Sequence, residues 1–315
     1  MHVLITGANG FVGATLARRL LEDSEALPGW TRLTLMDLEF PELVEDGRVH
    51  YLIGSIADTA LLADALATPV DIAFHLASIP GGAAESDYYL GRRVNVDATL
   101  ALLEGLKDQD NPARVVFAST IAVYGSPLPA QVDDQTPLRP QLSYATQKLM
   151  GELLIDDFSR RGWIDGISLR LPGIVARPPQ PSGLLSAFMS DVFWKLKAGE
   201  PFDSPVSPQA MAWWMSAARC IDNLLHAATI PAECLLARRV FTLPVLHLSM
   251  AQLVDGLCKR FGEDRRGRVD YRPNEHLEAN FGRYPPLLAE AAEALGLSHD
   301  GDLEQLIERT LGNRH

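Results

Sequence analysis

A tyrosine and a lysine four residues apart, Tyr144 and Lys148, form a pair that could support acid–base catalysis. Residues at this spacing lie on the same face of a helix. The pKa of a free tyrosine is about 10, so the side chain accepts a proton at neutral pH only if that pKa is lowered. A neighbouring ammonium group lowers it. We therefore expect Tyr144 to be a general base that Lys148 assists.

Two hydroxyl residues, Ser119 and Thr120, stand at the end of a predicted strand, residues 115–119. A hydroxyl at this place would hold a substrate oxygen between itself and Tyr144 and so prepare the proton transfer. Ser119 is a second residue expected to face substrate. A Tyr-Lys pair alone is common on ordinary helices, so the combination with these hydroxyls carries the prediction.

A glycine-rich run, residues 7–13, separates the first predicted strand from the first predicted helix. Glycines there allow a tight turn and let backbone N–H groups approach a pyrophosphate at the helix N-terminus. The same spacing also occurs in turns that bind nothing. The residues predicted to contact the cofactor here are Gly7, Asn9, Gly10, Phe11, Val12 and Gly13.

An aspartate, Asp37, ends the second predicted strand, residues 33–37. A carboxylate at this position accepts hydrogen bonds from the adenosine ribose of a dinucleotide. No arginine follows it directly, so a 2′-phosphate would be repelled without compensation. We therefore predict NAD rather than NADP as the cofactor. The alternative is that Asp37 only caps a helix or is solvated.

Composition excludes several classes of partner. The chain has 315 residues, 47% hydrophobic and 22% charged, with a formal net charge of -12. This balance predicts a globular protein and no nucleic-acid or membrane partner, because nucleic-acid binding needs concentrated positive charge. The three cysteines are predicted to be buried thiols. No signal peptide or membrane span is predicted, so we expect a cytoplasmic location.

The predicted strands and helices around these residues alternate along the chain. Short apolar runs predict strands at 2–6, 33–37, 72–76, 115–119, 167–171 and 239–242. Amphipathic stretches predict helices at 12–21, 59–67, 94–109, 144–161, 217–228 and 303–311. This order is typical of an α/β fold with a doubly wound parallel sheet. The long helices 94–109 and 144–161 would also suit pairing with a second subunit.

The sequence pattern changes after residue 171, where prolines become frequent. We therefore predict a Rossmann domain at residues 1–171, rejoined by about 217–247. A smaller α/β carboxy-terminal substrate-binding region is predicted at 172–216 and 248–315. His75, inside an apolar strand, is expected to be a satisfied core histidine, and no histidine has metal-ligand spacing.

Several motifs in one order carry a family resemblance over residues 1–178. They are the glycine turn, HLAS at 75–78, Asn95-Val96, STIAVYG at 119–125 and YATQK at 144–148. The sequence resembles extended short-chain dehydrogenases/reductases, the NAD-dependent epimerase/dehydratase family. The resemblance implies Tyr144 as proton acceptor, Lys148 as ribose contact and pKa modifier, and Thr120 in the place of the catalytic serine. It also implies a homodimer built on a four-helix bundle.

The resemblance implies further cofactor contacts. An acidic residue commonly meets adenine after the third strand of the family, and Ser55 takes that place here. Together with Tyr144 and Lys148, the cofactor-binding residues implied are Ser55, Ile56, Leu76, Ala77, Ser78, Asn95, Pro172 and Ile174.

The carboxy-terminal half bears on the substrate. Nucleotide-sugar enzymes of the family usually have an Asn-Val-Tyr-Gly-Pro type segment after the fifth strand, and residues 169–178 depart from it. These residues, the 78–85 loop and the 213–215 segment resemble those of sugar-acid dehydrogenases. We therefore predict oxidation of a small sugar acid at its 2-hydroxyl. Arg177 is predicted to bind the carboxylate, unless it is a solvated loop residue.

The other predicted substrate contacts are Ser78, Ser119, Thr120 and Tyr144. Trp213 and Trp214 would wall the substrate cavity, or be one core and one interface residue. The alternatives are a nucleotide-sugar epimerase or dehydratase with tightly bound NAD, another hydroxy-acid dehydrogenase of uronate or threonine type, and a redox-sensing regulator.

Overall fold

The computed structural model describes residues 1–179 and 185–312. The chain forms two compact units. The first comprises residues 1–125, 138–171 and 221–242, and the second comprises 126–137, 172–220 and the chain from 243 onward. Residues 126–137 therefore belong to the second unit, whereas the sequence-based boundaries kept them in the first.

Short apolar runs form the strands. In the described residues they are β1 (His2–Thr6), β2 (Arg32–Asp37), β3 (Val49–Ile53), β4 (Ile72–His75), β5 (Arg114–Thr120), β6 (Asp165–Leu171), β7 (Gly173–Val175), β8 (Phe202–Ser204), β9 (Met211–Ser216), β10 (Val240–Thr242), β11 (Leu246–Ser249) and β12 (Val269–Tyr271).

The α-helices of the described residues are α1 (Phe11–Glu22), α2 (Thr59–Leu66), α3 (Gly81–Ser86), α4 (Tyr88–Arg92), α5 (Ala98–Lys107), α6 (Ser143–Arg160), α7 (Phe188–Ala198), α8 (Ala217–Thr229), α9 (Met250–Phe261), α10 (Glu275–Phe281), α11 (Glu290–Ala294) and α12 (Leu303–Leu311). A π-helical turn, Arg93–Asp97, joins α4 to α5, and the predicted helix 94–109 is therefore these two elements in succession.

A seven-stranded sheet organises the first unit in the order β3-β2-β1-β4-β5-β6-β10. All its neighbouring pairs are parallel. Strands of such sheets are covered on both faces, which explains why β1 and β4 are buried along their whole length. The order reverses direction between β1 and β4, and ligands of such sheets bind beyond the carboxyl ends at that point. The predicted Rossmann fold is confirmed.

Helices α2, α5 and α6 pack side by side over this sheet. Their apolar side chains share one core with those of β1, β2, β4 and β5, including Leu4, Leu102, Phe117 and Ile155. The burial of these side chains removes apolar surface from water and holds α6 against β5. Since α6 carries Tyr144 and Lys148 and β5 ends at Thr120, this core sets where the predicted catalytic groups lie.

The second unit has its own sheet and core. Strand β9 pairs with β7 in parallel and with β11 antiparallel, while β8 pairs with β12. Its core gathers residues of α7, α9 and α12, among them Phe193, Leu257 and Leu306. Residues 180–184 and 313–315 of the predicted carboxy-terminal region lie outside the described residues.

The two adjacent tryptophans are both core residues. Trp213 is 1% exposed and Trp214 is fully buried. Trp213 packs against Tyr284 and donates its ring N–H to the carbonyl of Pro285, and Trp214 donates to the carbonyl of Leu248. The expectations that they wall a cavity, or divide into one core and one interface residue, are therefore wrong: successive strand residues point to opposite faces, and both faces of β9 are covered.

Two of the three cysteines follow the prediction. Cys220 and Cys258 are buried, and Cys234 is exposed, so the expectation of three buried thiols is wrong for Cys234. Burial, with a smaller effect of Asp300, raises the pKa of Cys220 to about 12. That thiol is accordingly protonated at neutral pH and unreactive.

No helix in residues 1–179 or 185–312 is both long and apolar enough to cross a membrane. The cytoplasmic location stays a prediction from the sequence.

Candidate active site

The glycine turn lies directly against the loop that follows β4. Gly7 has a positive φ of 72°, which favours glycine, and a Cβ there would lie 2.6 Å from the backbone nitrogen of Ala77. A Cβ on Gly13 would lie 2.0 Å from the carbonyl oxygen of Gly7. Both positions therefore require glycine. The turn and the loop after β4 meet at the switch point of the sheet.

The N-terminus of α1 opens from this turn. Its N-cap, Gly10, is exposed and makes no side-chain capping hydrogen bond. The first N–H groups of a helix carry partial positive charge and bind anions such as phosphate. The predicted residues Asn9 to Gly13 are thus arranged as a pyrophosphate site requires, with Gly10 leaving space for the backbone to approach it.

Asp37 is held at the carboxyl end of β2 by two backbone groups. One carboxylate oxygen accepts the N–H of Asn9 at 2.8 Å, and the other accepts the N–H of Leu38 at 2.7 Å. A carboxylate has about four acceptor positions, so capacity remains for ribose hydroxyls. The aspartate therefore joins the glycine turn to the place where a ribose would lie.

The loop after β4 is tied down by Asn95, which lies in the π-helical turn. Its side-chain oxygen accepts the N–H of Ile79 at 2.7 Å, and its nitrogen donates to the carbonyl of Ile79 at 3.0 Å and to Gln147 at 2.8 Å. Asn95 is 2% exposed. The structure thus places Asn95 where it orders the loop, which holds the predicted contacts Leu76, Ala77 and Ser78, all half-buried.

The predicted adenine contacts follow β3. The hydroxyl of Ser55 accepts the N–H of Ala57 at 3.2 Å, and the side chain of Ile56 is 5% exposed in the core. The N–H of Gly54 donates to the carbonyl of Asp37, which keeps this segment beside the end of β2. Ser55 and Ile56 therefore lie near Asp37, and their contact with a cofactor stays a prediction.

Tyr144 stands in the first turn of α6, at the end of β5. It is half-buried, and its hydroxyl lies by the side chain of Thr120. Burial raises the pKa of Tyr144, and the Thr120 hydroxyl opposes this effect. The net shift is upward because removal from water disfavours the phenolate. The predicted pair of Tyr144 and Thr120 is brought together.

Lys148 lies one turn further along α6 and is 2% exposed. Its amine lies 4.7 Å from the centre of the Phe117 ring. Burial lowers the pKa of Lys148 to about 7, and the charge of Glu152 opposes this effect. Its amine makes no hydrogen bond with any other residue of 1–179 and 185–312. Such a buried donor, one helical turn from Tyr144, suits the two hydroxyls of a ribose, so these residues fit a dinucleotide.

Ser119 points elsewhere than the sequence predicts. Its hydroxyl donates to the carboxylate of Glu152 at 2.5 Å, and the residue is 2% exposed. Arg170 of β6 makes two hydrogen bonds to the same carboxylate, at 2.9 and 2.8 Å. Both partners lie on α6: Ser119 contacts Glu152 in the middle of the helix, whereas Thr120, at the end of β5, lies by Tyr144 in its first turn. The expectation that Ser119 contacts substrate is therefore not supported.

His75 is the core histidine that the sequence predicts. The hydroxyl of Thr99 donates to the carbonyl of Asn95, so Nε2 of His75 donates to Thr99 at 2.8 Å. Its Nδ1 then accepts from Thr6 at 2.7 Å. Burial, with a smaller effect of Lys148, lowers the pKa of His75 to about 3. Both ring nitrogens are satisfied and the ring is neutral, which confirms the prediction.

Three predicted residues belong to the second unit. Pro172 is buried, Ile174 of β7 is half-buried, and Arg177 follows β7. The backbone of Arg177 is held by Ser190 and Trp194, and burial lowers the pKa of its guanidinium. Their contacts with cofactor or substrate stay predictions. No group of metal-ligating side chains occurs in the part of the chain that the structure describes.

Sequence reasoning missed Glu152 and Gln147. Both are polar residues of α6 that are at least 97% buried: Glu152 accepts a hydrogen bond from Ser119, and Gln147 accepts one from Asn95. Glu152 follows Lys148 by one helical turn, a spacing that favours ion pairing and could have indicated it. No local signal distinguishes Gln147, whose partner is distant in sequence.

Comparison with known proteins agrees with this geometry. The model of the NAD dependent epimerase/dehydratase family matches residues 3–210. The chain is 39% identical to D-erythronate dehydrogenase of Cupriavidus necator over 98% of this chain and 97% of that protein. It is 32% identical to D-erythronate dehydrogenase of Haemophilus influenzae, over 98% of each chain.

Solved structures extend the comparison. A nucleoside-diphosphate-sugar epimerase from Agrobacterium tumefaciens has a TM-score of 0.93 at 32% identity, covering 100% of this chain and 94% of that one. An L-threonine dehydrogenase from Cupriavidus necator has a TM-score of 0.86 at 21% identity over the full length of both chains, which shows the shared fold alone. The family predicted from the motifs, and with it the prediction of an enzyme, are confirmed. The chain belongs to the NAD dependent epimerase/dehydratase family.

Proposed function

We propose that this protein is an NAD-dependent dehydrogenase that oxidises the 2-hydroxyl of D-erythronate to give 2-dehydro-D-erythronate. The observation that carries the proposal is the nearly full-length match, at 39% identity, to a D-erythronate dehydrogenase. The geometry supports a dehydrogenase because the side chains of Tyr144 and Thr120 lie together at the end of β5. They would hold one substrate oxygen between them.

In the proposed reaction Tyr144 accepts the proton of the C2 hydroxyl while the hydride on C2 leaves for the cofactor. The oxidised nicotinamide, when bound, supplies the hydride acceptor and a positive charge. The products are the 2-oxo acid, NADH and one proton. Thr120 orients the reacting oxygen, and the Lys148 amine would hold the ribose and help to lower the pKa of Tyr144.

The preference for NAD is proposed from the position of Asp37. Its carboxylate is fixed at the end of β2 by Asn9 and Leu38 and retains acceptor capacity for ribose hydroxyls. A 2′-phosphate would meet this negative charge at close range. The remaining cofactor contacts are proposed as the sequence predicts them, with Asn95 ordering the loop after β4.

The substrate carboxylate is proposed to bind Arg177. A guanidinium forms paired hydrogen bonds with a carboxylate, and partial burial strengthens them. Burial lowers the pKa of Arg177, which is the direction that an anionic ligand would reverse. Other hydroxy acids, of uronate or threonine type, have the same reacting group. The choice of D-erythronate among these acids is the more specific part of the proposal.

The proposed activity is tested by mixing the purified protein with NAD and single acids and following NADH. D-Erythronate should give the largest kcat/KM among D-erythronate, D-threonate, D-glucuronate and L-threonine. Tyr144→Phe should lower kcat at least a hundredfold, roughly the contribution of general base catalysis. Tyr89→Phe, a 78% exposed control, should be fully active. Absence of NADH with D-erythronate would refute the proposal.

A nucleotide-sugar epimerase is the second candidate, because a structure of that name superposes with a TM-score of 0.93. An epimerase keeps its NAD bound and returns the hydride, so no NADH would accumulate. Nucleoside-diphosphate sugars should then raise the melting temperature and be interconverted, whereas D-erythronate should do neither.

We also propose a homodimer that pairs α6 with its symmetry mate. Met150 and Leu153 lie three residues apart on this helix and are 44% and 64% exposed. Exposed apolar side chains at this spacing form a stripe, and a two-fold axis would bury the same stripe from both copies. A second copy of the chain is therefore the proposed partner.

A further inference from the structure

The buried amine of Lys148 has two neighbours that the proposed reaction does not use. One is the ring of Phe117, and the other is the carboxylate of Glu152. We propose that Phe117 and Glu152 are positioning residues that keep the amine of Lys148 charged and directed at the site. This inference rests on the proposed function only for the role of Lys148.

Phe117 places its ring under the amine. The nitrogen lies 4.7 Å from the ring centre, and Phe117 is 1% exposed. The face of an aromatic ring attracts a cation, more strongly where water is excluded. The helix reaches this close because residue 151 is glycine: a Cβ on Gly151 would lie 2.5 Å from the Phe117 ring. The contact between β5 and α6 thus depends on a specific pair of residues.

Glu152 supplies the nearest negative charge. It is 2% exposed, yet its carboxylate accepts one hydrogen bond from Ser119 and two from Arg170. Three hydrogen bonds, two of them from the guanidinium of Arg170, satisfy the buried carboxylate. They also fix the side chain, so that it cannot turn toward solvent. The carboxylate one helical turn from Lys148 therefore opposes the effect of burial on the amine.

The other titratable groups around the amine do not favour its charge. His75 of β4 is neutral, since burial lowers its pKa to about 3. Tyr144 of α6 is protonated at neutral pH because burial raises its pKa. Arg170 of β6 is cationic and paired with Glu152. Among these described groups, only Glu152 is an anion that Coulomb attraction couples to Lys148.

Burial and the two neighbours have opposing effects on the charge of Lys148, so the loss of either neighbour would change that charge. Burial lowers the pKa of Lys148 to about 7, close enough to neutral pH for its neighbours to influence its charge. Loss of the ring or of the carboxylate would favour the neutral form of the Lys148 amine. A neutral amine offers no positive charge to Tyr144 or to the cofactor.

The test measures the protonation of Lys148 directly, in protein without cofactor or substrate. Lysine isotopically labelled at Cε is incorporated, the Lys148 signal is assigned with Lys148→Arg, and its chemical shift is followed against pH. Phe117→Leu should lower the midpoint by roughly half to one pH unit. Glu152→Gln should lower it by roughly one unit or more. Phe158→Leu is the matched control.

Phe158 suits this purpose because it belongs to the same core as Phe117 but packs on Trp163. Its variant should titrate at the unaltered midpoint. If Glu152→Gln fails to fold because Arg170 loses its partner, the double variant Glu152→Gln/Arg170→Gln replaces it. An unaltered midpoint in Phe117→Leu, or in the carboxylate variant, would overturn the proposal. Because this test measures no turnover, it remains decisive even if the protein is inactive on every sugar acid.

Discussion

The carboxylate of Asp37 accepts the backbone N–H of Asn9 at 2.8 Å, which joins the end of β2 to the glycine turn after β1. The residue predicted to select the cofactor is therefore oriented by the segment predicted to bind its pyrophosphate. The predicted ribose site at Asp37 and the predicted pyrophosphate site at the glycine turn consequently depend on each other.

Replacing Asp37 should change cofactor choice. Asp37→Asn keeps the size of the side chain and removes the charge that repels a 2′-phosphate. We expect the ratio of the Kd for NADP to the Kd for NAD to fall roughly tenfold or more. Calorimetric titration with both dinucleotides measures it. Asp58→Asn, at the N-cap of α2, is the control and should leave the ratio unchanged. An unchanged ratio in Asp37→Asn would argue against the ribose contact.

Substitution of Gly13 should disrupt the cofactor turn. In Gly13→Ala the added Cβ would lie 2.0 Å from the Gly7 carbonyl, so the turn must shift. We expect a loss of roughly 1–3 kcal/mol in the free energy of unfolding, typical of overpacking, and loss of NAD binding. Denaturant unfolding and NAD titration measure these effects. Gly82→Ala, where a Cβ meets nothing within 4 Å, should show neither. Normal NAD binding by Gly13→Ala would contradict the predicted turn.

The hydroxyl of Thr120 should matter more than its methyl group. Thr120→Val keeps the branched shape and removes the hydroxyl oxygen that lies by Tyr144. We expect kcat to fall roughly a hundredfold, as for loss of one preorganised hydrogen bond at a reacting oxygen. Thr120→Ser restores the oxygen and should retain most activity. Equal activities of the two variants in the NADH assay would remove Thr120 from the mechanism.

Burial of Lys148 should make stability depend on pH. Its pKa is about 7 in the folded protein and 10.5 in a model peptide, so between these values the unfolded chain binds more protons. The contribution of this group to stability then rises with pH, by roughly 1.4 kcal/mol per unit, and is smallest below pH 7.

Lys148→Met removes this dependence. Its free energy of unfolding should exceed that of the unaltered protein most at pH 6, and the difference should shrink up to pH 10. Chemical denaturation at several pH values measures it. Lys195→Met, which removes an exposed lysine paired with Glu200, is the control and should not reproduce the trend. A difference that is constant with pH would show that Lys148 is charged when folded.

A charge on the exposed stripe of α6 should separate the proposed dimer. Leu153→Glu places like charges at a two-fold interface, where each is desolvated. We expect monomers by analytical ultracentrifugation and unaltered helix content. Leu236→Glu, at a 79% exposed leucine outside α6, should leave the mass unchanged. A dimer in Leu153→Glu would place the interface elsewhere.

Local patterns sufficed for much of the fold and for part of the site. Alternating apolar runs and amphipathic stretches predicted the parallel sheet, because strand and helix periodicities are properties of neighbouring residues. The glycines at 7, 10 and 13 predicted the turn. The Tyr144-Lys148 spacing predicted one helix face, because one helical turn determines it.

The surroundings of these groups depend on how the helices and strands pack together. The partner of Ser119 is Glu152 and the partner of Asn95 is Gln147, residues far apart in the sequence that meet because α6 packs on β5 and the π-helical turn. Burial likewise raised the pKa of Tyr144 and lowered that of Lys148. Sequence spacing determines which residues share an element, whereas desolvation and long-range partners depend on which elements cover them.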